Sequence, residues 1–496
     1  MGWREAAWYH NRPVKRWAVF GLAIALVLLR SFVATRYEGF FFDSDQAIVG
    51  LMARHLSRFH HFPVFYYSLN YILAVQAWVA APVFWIARSS VAVLRLPFVL
   101  LNVGVAVALV AMLTRELAID PWLALVAALP VVIPSPAAAN HLLEMAGANV
   151  EPFAYVLGLW ALRRRPLPFG VLLAVGYLHR EFTILALPAL LVAERRDWMR
   201  SAATSARRAA RLVVGFGIVY ALVGLAKARA GAGGIGLQAA SLAGQLCVTW
   251  RDLVEHGQAL ATEALPTLFG MMPAPLSAFR MTTDLVAGAF WVWWVVIGAL
   301  ALVAVRLAVR LPVRLFSQTE RSGRGEFALY LTLTGALTAL AYPLSCNVAL
   351  HTPPLLRYLL LALLLPVGVS AWFFARERSP LWNGAVAAAL IVWSAANLAD
   401  NIRLIRAAVA DPPLSEHRVL ADYLVAHRIR YARAIYWDAY VVDFLSRERV
   451  TVASTDIIRI PEYQDEVDAH AADAVVLQRM PCSGDERIAS WCVQRP

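Results

Sequence analysis

The feature that most constrains this chain is a recurring one. Apolar runs of membrane-spanning length alternate with short arginine clusters. The first, "AVFGLAIALVLLRSFVA" at 18–34, follows "RPVKR", and similar runs recur to about residue 398. A run of ~20 apolar residues is what a helix needs to cross a bilayer. With 60% hydrophobic and 16% charged residues and a mean hydropathy of +0.60, the chain has too little polar surface for a soluble fold. It reads as a polytopic α-helical membrane protein.

The net charge of +12 does not point to nucleic acid, because of where it lies. From residue 400 onward there are 15 acids and 12 bases, which leaves 18 acids and 33 bases before it. That excess sits between apolar runs, where cytoplasmic loops carry arginine and meet anionic headgroups. Putting the clusters at 12–16, 115, 163–165, 195–211, 306–324 and 376–378 inside predicts spans near 17–35, 91–113, 122–134, 150–162, 211–227, 285–305, 327–345, 355–375 and 381–398. The first run reads as an uncleaved signal anchor, with a cytoplasmic N-terminus.

Two segments need a separate reading. "NYILAVQAWVAAPVFWIA" (70–87) would invert the arginine pattern if it spanned, so it reads as a re-entrant or interfacial helix. "LPFGVLLAVGYLHREFTILALPALLVAERR" has basic flanks at both ends and "HRE" in the middle. It reads as two short helices turning at 179–181, for a total of about eleven crossings. The outer side then receives the loops 36–90, 135–151 and 228–284 and the tail. The tail differs in kind: "SEHRVLADYLVAHRI" is an amphipathic helix starting at Ser415 or Glu416, and "ARAIYWDAY", "VTVAS" and "DAVVLQ" are short strands. The expected organisation is a transmembrane domain at 1–399 and a small extracytoplasmic α/β domain at 400–496. "GAGGIG" (231–236) follows no strand and reads as a loop; "FWVWWVV" (290–296) reads as a span edge. Cys482 and Cys492 are spaced for a hairpin disulfide, a Cys247–Cys346 pairing stays open, and no cysteine cluster has zinc-site spacing.

Candidate chemistry concentrates in "YEGFFFDSDQAIVGLMARHL" (37–56). Asp43 and Asp45 precede Ile48, Leu51, Met52 and Leu56 at helical spacing, which predicts a helix in the membrane interface with acids at its N-terminus. One such acid is explained by helix capping. Two acids suggest more: a carboxylate that deprotonates an acceptor, or a divalent metal held by Asp43 and Asp45. Further candidates at the same boundary are Arg357 and Arg180 as anion ligands, His351, Glu144 in "NHLLEMAGANVEPF", and Tyr66 and Tyr67 as cavity lining. The bland alternatives are headgroup snorkelling for Arg357 and an ion pair with Glu181 or Glu144 for Arg180.

The run "FFDSDQAIVGLMARHL…FPVFYYSLNY…AAPVFWIARSSVAVLRLPFVLLN" resembles the first outer loop of the C-type (GT-C) membrane glycosyltransferases. The likeness is to family-39-like bacterial enzymes related to protein O-mannosyltransferases and to the lipid A aminoarabinose transferase. Weaker echoes are "YLHREFTILALP", "LLRYLLLALLLP" and "LADYLVAHRI…YARAIYWDAYVVDFLSRERV". The resemblance implies an inverting transfer of a sugar from a polyprenyl-phosphate donor to a glycan, lipid or protein acceptor at the outer face of a bacterial inner membrane. It implies Asp45 as general base with Asp43 as its partner, Arg357 at the family's Arg-Tyr position, and Gln46 where many members carry Glu. Mg or Mn is left open as a cofactor. Ser68, Leu73 and Gln76 replace two glycines and an acid of the family's pattern, so the substrate's identity does not carry over. The alternative class is a polytopic transporter or lipid-linked-sugar flippase; a non-catalytic envelope scaffold is a third.

Overall fold

The computed structural model describes residues 12–69, 71–145, 149–199, 201–229, 246–272, 289–315, 325–346, 355–482 and 486–495. Five helices are long and apolar enough to cross a membrane: Arg16–Arg36, Val91–Leu117, Ala202–Arg229, Glu326–Leu344 and Pro380–Ala410. The chain is an integral membrane protein. The other apolar runs are helical too but shorter, among them Pro121–Val132, Glu151–Leu162, Pro166–His179, Glu181–Ala193 and Leu360–Arg376. A 12-residue helix covers only about 18 Å of a ~30 Å hydrocarbon layer, so length alone supports five crossings and leaves the count of eleven open.

The first four helices frame the site and are named α1 (Arg12–Arg36), α2 (Ser44–Ser57), α3 (Val75–Ile86) and α4 (Val91–Leu117). The α3 helix replaces the ambiguous 70–87 run, and its 12 residues are too few to span. The "HRE" segment breaks where expected. The helix Pro166–His179 ends, Arg180 is extended, and a 3-10 turn begins at Glu181. Thr183 then folds back to pack against Gly176.

After Pro380–Ala410, ten residues past the expected domain boundary, the tail forms a helix Glu416–Ala426 capped by Ser415 and a five-stranded mixed sheet. Its strands are β1 (Tyr431–Ala434), β2 (Thr451–Ser454), β3 (Val475–Arg479), β4 (Glu486–Ile488) and β5 (Trp491–Gln494), in the order β2-β1-β3-β5-β4. β1 is parallel to β2 and β3, with Ala432 opposite Val452 and Val475; β5 is antiparallel to β3 and β4. One strand reading was too long. "ARAIYWDAY" is strand only to Ala434, and Tyr436–Ser446 is a helix. Asp443 of that helix accepts from the Val452 amide at 2.8 Å, tying it to β2.

Two large apolar cores lie among the described residues. One joins α1, α4 and the remaining apolar helices. The other joins α2, α3, the start of α4 and the tail, with Ile48, Leu51 and Phe98 packed in the same cluster as Tyr440, Phe444 and Trp491. The tail is therefore not closed on itself: its core is completed by the first outer loop. Gly50 makes this possible, because any β-carbon there would collide with the ring of Phe444. Disulfides join Cys247 to Cys346 and Cys482 to Cys492, with Cα separations of 4.9 and 6.2 Å. The segment "GAGGIG" lies outside the described residues.

Candidate active site

Helix α2 starts by a standard mechanism. Asp43 is its N-cap in extended conformation, and the Asp43 carboxylate accepts from the Gln46 amide at 3.0 Å. Capping thus accounts for Asp43 and leaves Asp45 to be explained. Asp45 is half-buried in the first turn. Its Oδ1 accepts a short hydrogen bond from the Tyr436 hydroxyl, and no described residue bonds its second oxygen. Tyr66, buried, donates to the Asp45 carbonyl at 3.0 Å, and Ser44 donates to the Tyr436 carbonyl at 2.6 Å. Burial and the Asp45 charge hold the Tyr436 phenol above its ordinary value, so it stays protonated and can donate.

Gln46 stands where the resembled family often carries Glu, and its role here is neutral bracing. Its amide donates to the Phe41 carbonyl at 2.8 Å and accepts from Arg95 at 3.3 Å. Arg95, fully buried in α4, also donates to the carbonyls of Ala34 and Phe41.

Glu144 follows the short helix Pro136–His141 and is 6% exposed. It accepts from His141 at 2.5 Å and pairs with Arg357 at 3.8 Å. Burial would raise its carboxyl, but His141, Arg357 and Arg180 outweigh burial and hold it below the usual range. The opposite happens at Asp43. Burial first, then the charges of Asp45 and Glu144, push it up to about 7, with the Gln46 amide and Arg357 only partly offsetting them. Arg357 also feels the charge of Asp45, so Asp43, Asp45, Glu144 and Arg357 form one electrostatic cluster.

Arg180 is 5% exposed and adds positive charge at Glu144 and Glu151. Neither expected ion pair, to Glu181 or Glu144, forms within 4.0 Å. Glu151 instead accepts from Gln76 at 2.6 Å, and His179 pairs with the Tyr155 hydroxyl at 2.9 Å. The Nε atoms of Arg180 and of Arg357 are both buried without a hydrogen-bond partner among the described residues. A buried guanidinium with an unmet donor is costly unless a ligand meets it.

Two candidate residues do not join this cluster. Tyr67 turns away from Asp45 and bonds His55 at 2.8 Å, in a separate cleft against the tail. His351 lies outside the described residues. Among the described residues no three His, Cys, Asp or Glu side chains converge as a metal-ligand set, so Asp43 and Asp45 are given no metal-based step. What sequence reading missed is the tail's share: Tyr436 on Asp45, and Arg459, whose guanidinium lies 5.7 Å from the Tyr436 ring and 5.8 Å from the Tyr66 ring. No signal in the sequence pairs positions 45 and 436, because contacts across 391 residues leave no periodic trace.

No family model and no curated protein matches the sequence. The chain is similar in structure to ArnT from Cupriavidus metallidurans. That crystal structure, bound to undecaprenyl phosphate, aligns over 96% of this chain and 97% of its own, at 12% sequence identity and a TM-score of 0.47. A likeness of that size assigns neither activity nor ligand to this chain.

Proposed function

We propose that the protein is a membrane glycosyltransferase that moves a sugar from a polyprenyl-phosphate donor to an acceptor hydroxyl at the extracytoplasmic face. The observation that carries this reading is the pairing of an accessible carboxylate with under-satisfied arginines in one cluster. Asp45 has an unbonded oxygen, while Arg357 and Arg180 each keep a buried Nε–H without a partner. The first is what a general base needs and the second is what a leaving phosphate needs. The first-loop motifs supply the donor class by resemblance.

In this mechanism Asp45 takes the proton of the acceptor hydroxyl as its oxygen bonds to the anomeric carbon. The bond from that carbon to the phosphate oxygen breaks on the opposite face, so configuration inverts. The electron pair leaves with polyprenyl phosphate, whose charge is met by Arg357 and Arg180. Tyr436 fixes the carboxylate through Oδ1 and leaves the other oxygen for the acceptor. Asp43 caps α2 and, with its carboxyl raised to about 7, spends much of the neutral range protonated, which limits repulsion of the phosphate. The 1–399 and 400–496 division is kept only as a functional one: the membrane part holds the donor, and the tail completes the site from outside. Two disulfides suit an oxidising, extracytoplasmic location of both outer segments.

The test is transfer from a lipid-linked donor by purified full-length protein. Asp45→Asn should lower kcat by about 10²–10⁴-fold with the fold intact. Wild-type turnover by that variant would remove the assigned base.

A further inference from the structure

A second cleft lies between the end of α2, the chain after it and the tail segment 459–463. It encloses about 230 Å³ and is lined by His55, His60, His61, Tyr67, Arg459 and Glu462, among others. Its lining falls into two sets. His55, Tyr67, Tyr463 and Glu448 form a closed network: His55 bonds Tyr67 at 2.8 Å and Glu448 at 2.7 Å, and Tyr463 donates to Glu448 at 2.8 Å. Arg54 and Arg58 complete it, at 3.2 and 3.4 Å from the same carboxylate. That set is structural.

The second set is unspent. The side chains of His60, His61 and Glu462 bond no described residue, and the Arg459 Nε is buried without a partner. Arg459 also borders the site described above, since its guanidinium lies over the rings of Tyr66 and Tyr436, which both bond Asp45. The cleft therefore meets the Asp45 cluster through one residue.

The chemistry of this lining selects a ligand class. A free carboxylate beside an unmet guanidinium donor and two imidazoles offers acceptors and donors at close quarters, which neighbouring hydroxyl groups can satisfy in pairs. A phosphate is disfavoured by the Glu462 and Glu448 carboxylates in the same wall. A metal is disfavoured because the described residues contain no converging ligand set. The volume is below the ~300–1,000 Å³ typical of drug-sized ligands, which suits one sugar unit.

We infer that this cleft binds a sugar of the acceptor and that Arg459 aligns it toward Asp45. The inference rests on the transferase reading, but its test does not use turnover. Saturation-transfer NMR on the full chain in lipid nanodiscs would use a methyl hexoside, with inorganic phosphate as the anionic control. The expected result is transfer to the hexoside in wild type and in Asp45→Asn, and at least a fivefold weaker signal in Glu462→Ala and His61→Ala. Both of those side chains are exposed, so these variants should fold. No hexoside signal in wild type, an undiminished signal in both cleft variants, or loss of the wild-type hexoside signal on adding inorganic phosphate would overturn it. An octyl hexoside binding more tightly than the methyl one identifies a lipid-anchored acceptor; equal binding identifies a glycan without such an anchor. If Asp45→Asn stays active while the cleft result holds, the fault lies with the base and not with the cleft.

Discussion

The two ends of helix α2 treat charge in opposite ways. At its N-terminal end, burial and the charges of Asp45 and Glu144 push Asp43 up to about 7, and two arginines keep donors unmet by any described residue. At its C-terminal end, Glu448 receives His55, Tyr463, Arg54 and Arg58, and those partners outweigh burial and hold it down to about 2. A carboxylate whose every oxygen is bonded serves as a joint. A cluster left short of partners serves a ligand, because the cost of leaving it so is recovered only when something binds.

The largest expected effect probes the under-partnered side. Arg357→Gln should lower kcat by about 10²–10³-fold, the usual loss when one stabilising donor is removed from a developing negative charge. A change in KM alone, read from steady-state transfer, would mean that Arg357 grips the donor equally before and during the reaction. On the joined side, Glu448→Ala should destabilise by on the order of 3 kcal/mol, because Arg54 is 2% exposed and would be left unpaired. Thermal unfolding and protease access to the tail measure this; an unchanged transition would deny that Glu448 is a joint.

Tyr436→Phe removes the tail's bond to Asp45 and should have a smaller effect. Losing one hydrogen bond to a charged group corresponds to about a 10-fold fall in kcat, with KM steady. An equal fall in thermal stability would make Tyr436 a packing residue instead. The last effect, at Asp43, is read from stability against pH. Its folded value of about 7 lies above the ordinary 3.8, so the folded state binds the proton more tightly and loses stability as pH rises between those values. Asp43→Asn removes that loss and keeps the cap. Its Tm should match wild type near pH 4 and exceed it at pH 8; a lower Tm at pH 8 would mean that the Asp43 charge is stabilising.

Much of the architecture was legible in the chain because membrane helices write themselves as composition. The apolar runs, the break at Arg180, an aspartate cap before Gln46, the helix from Glu416 and the strands at 451–454 and 475–479 all follow from local pattern. The "ARAIYWDAY" reading failed locally because a β-branched residue followed by aromatics suits a strand, while packing of Tyr440 and Phe444 against α2 favours a helix.

Hydropathy, capping and charge are local properties, so the chain alone placed itself in a membrane and marked where its first outer loop starts a helix. Which of the two acids caps α2, that Tyr67 faces a second cleft, and that the tail brings Tyr436 and Arg459 to Asp45 emerge only from the fold. Those outcomes depend on side chains hundreds of residues apart sharing one buried environment. Their energies are set by who else is within a few ångströms, and chain order does not encode that.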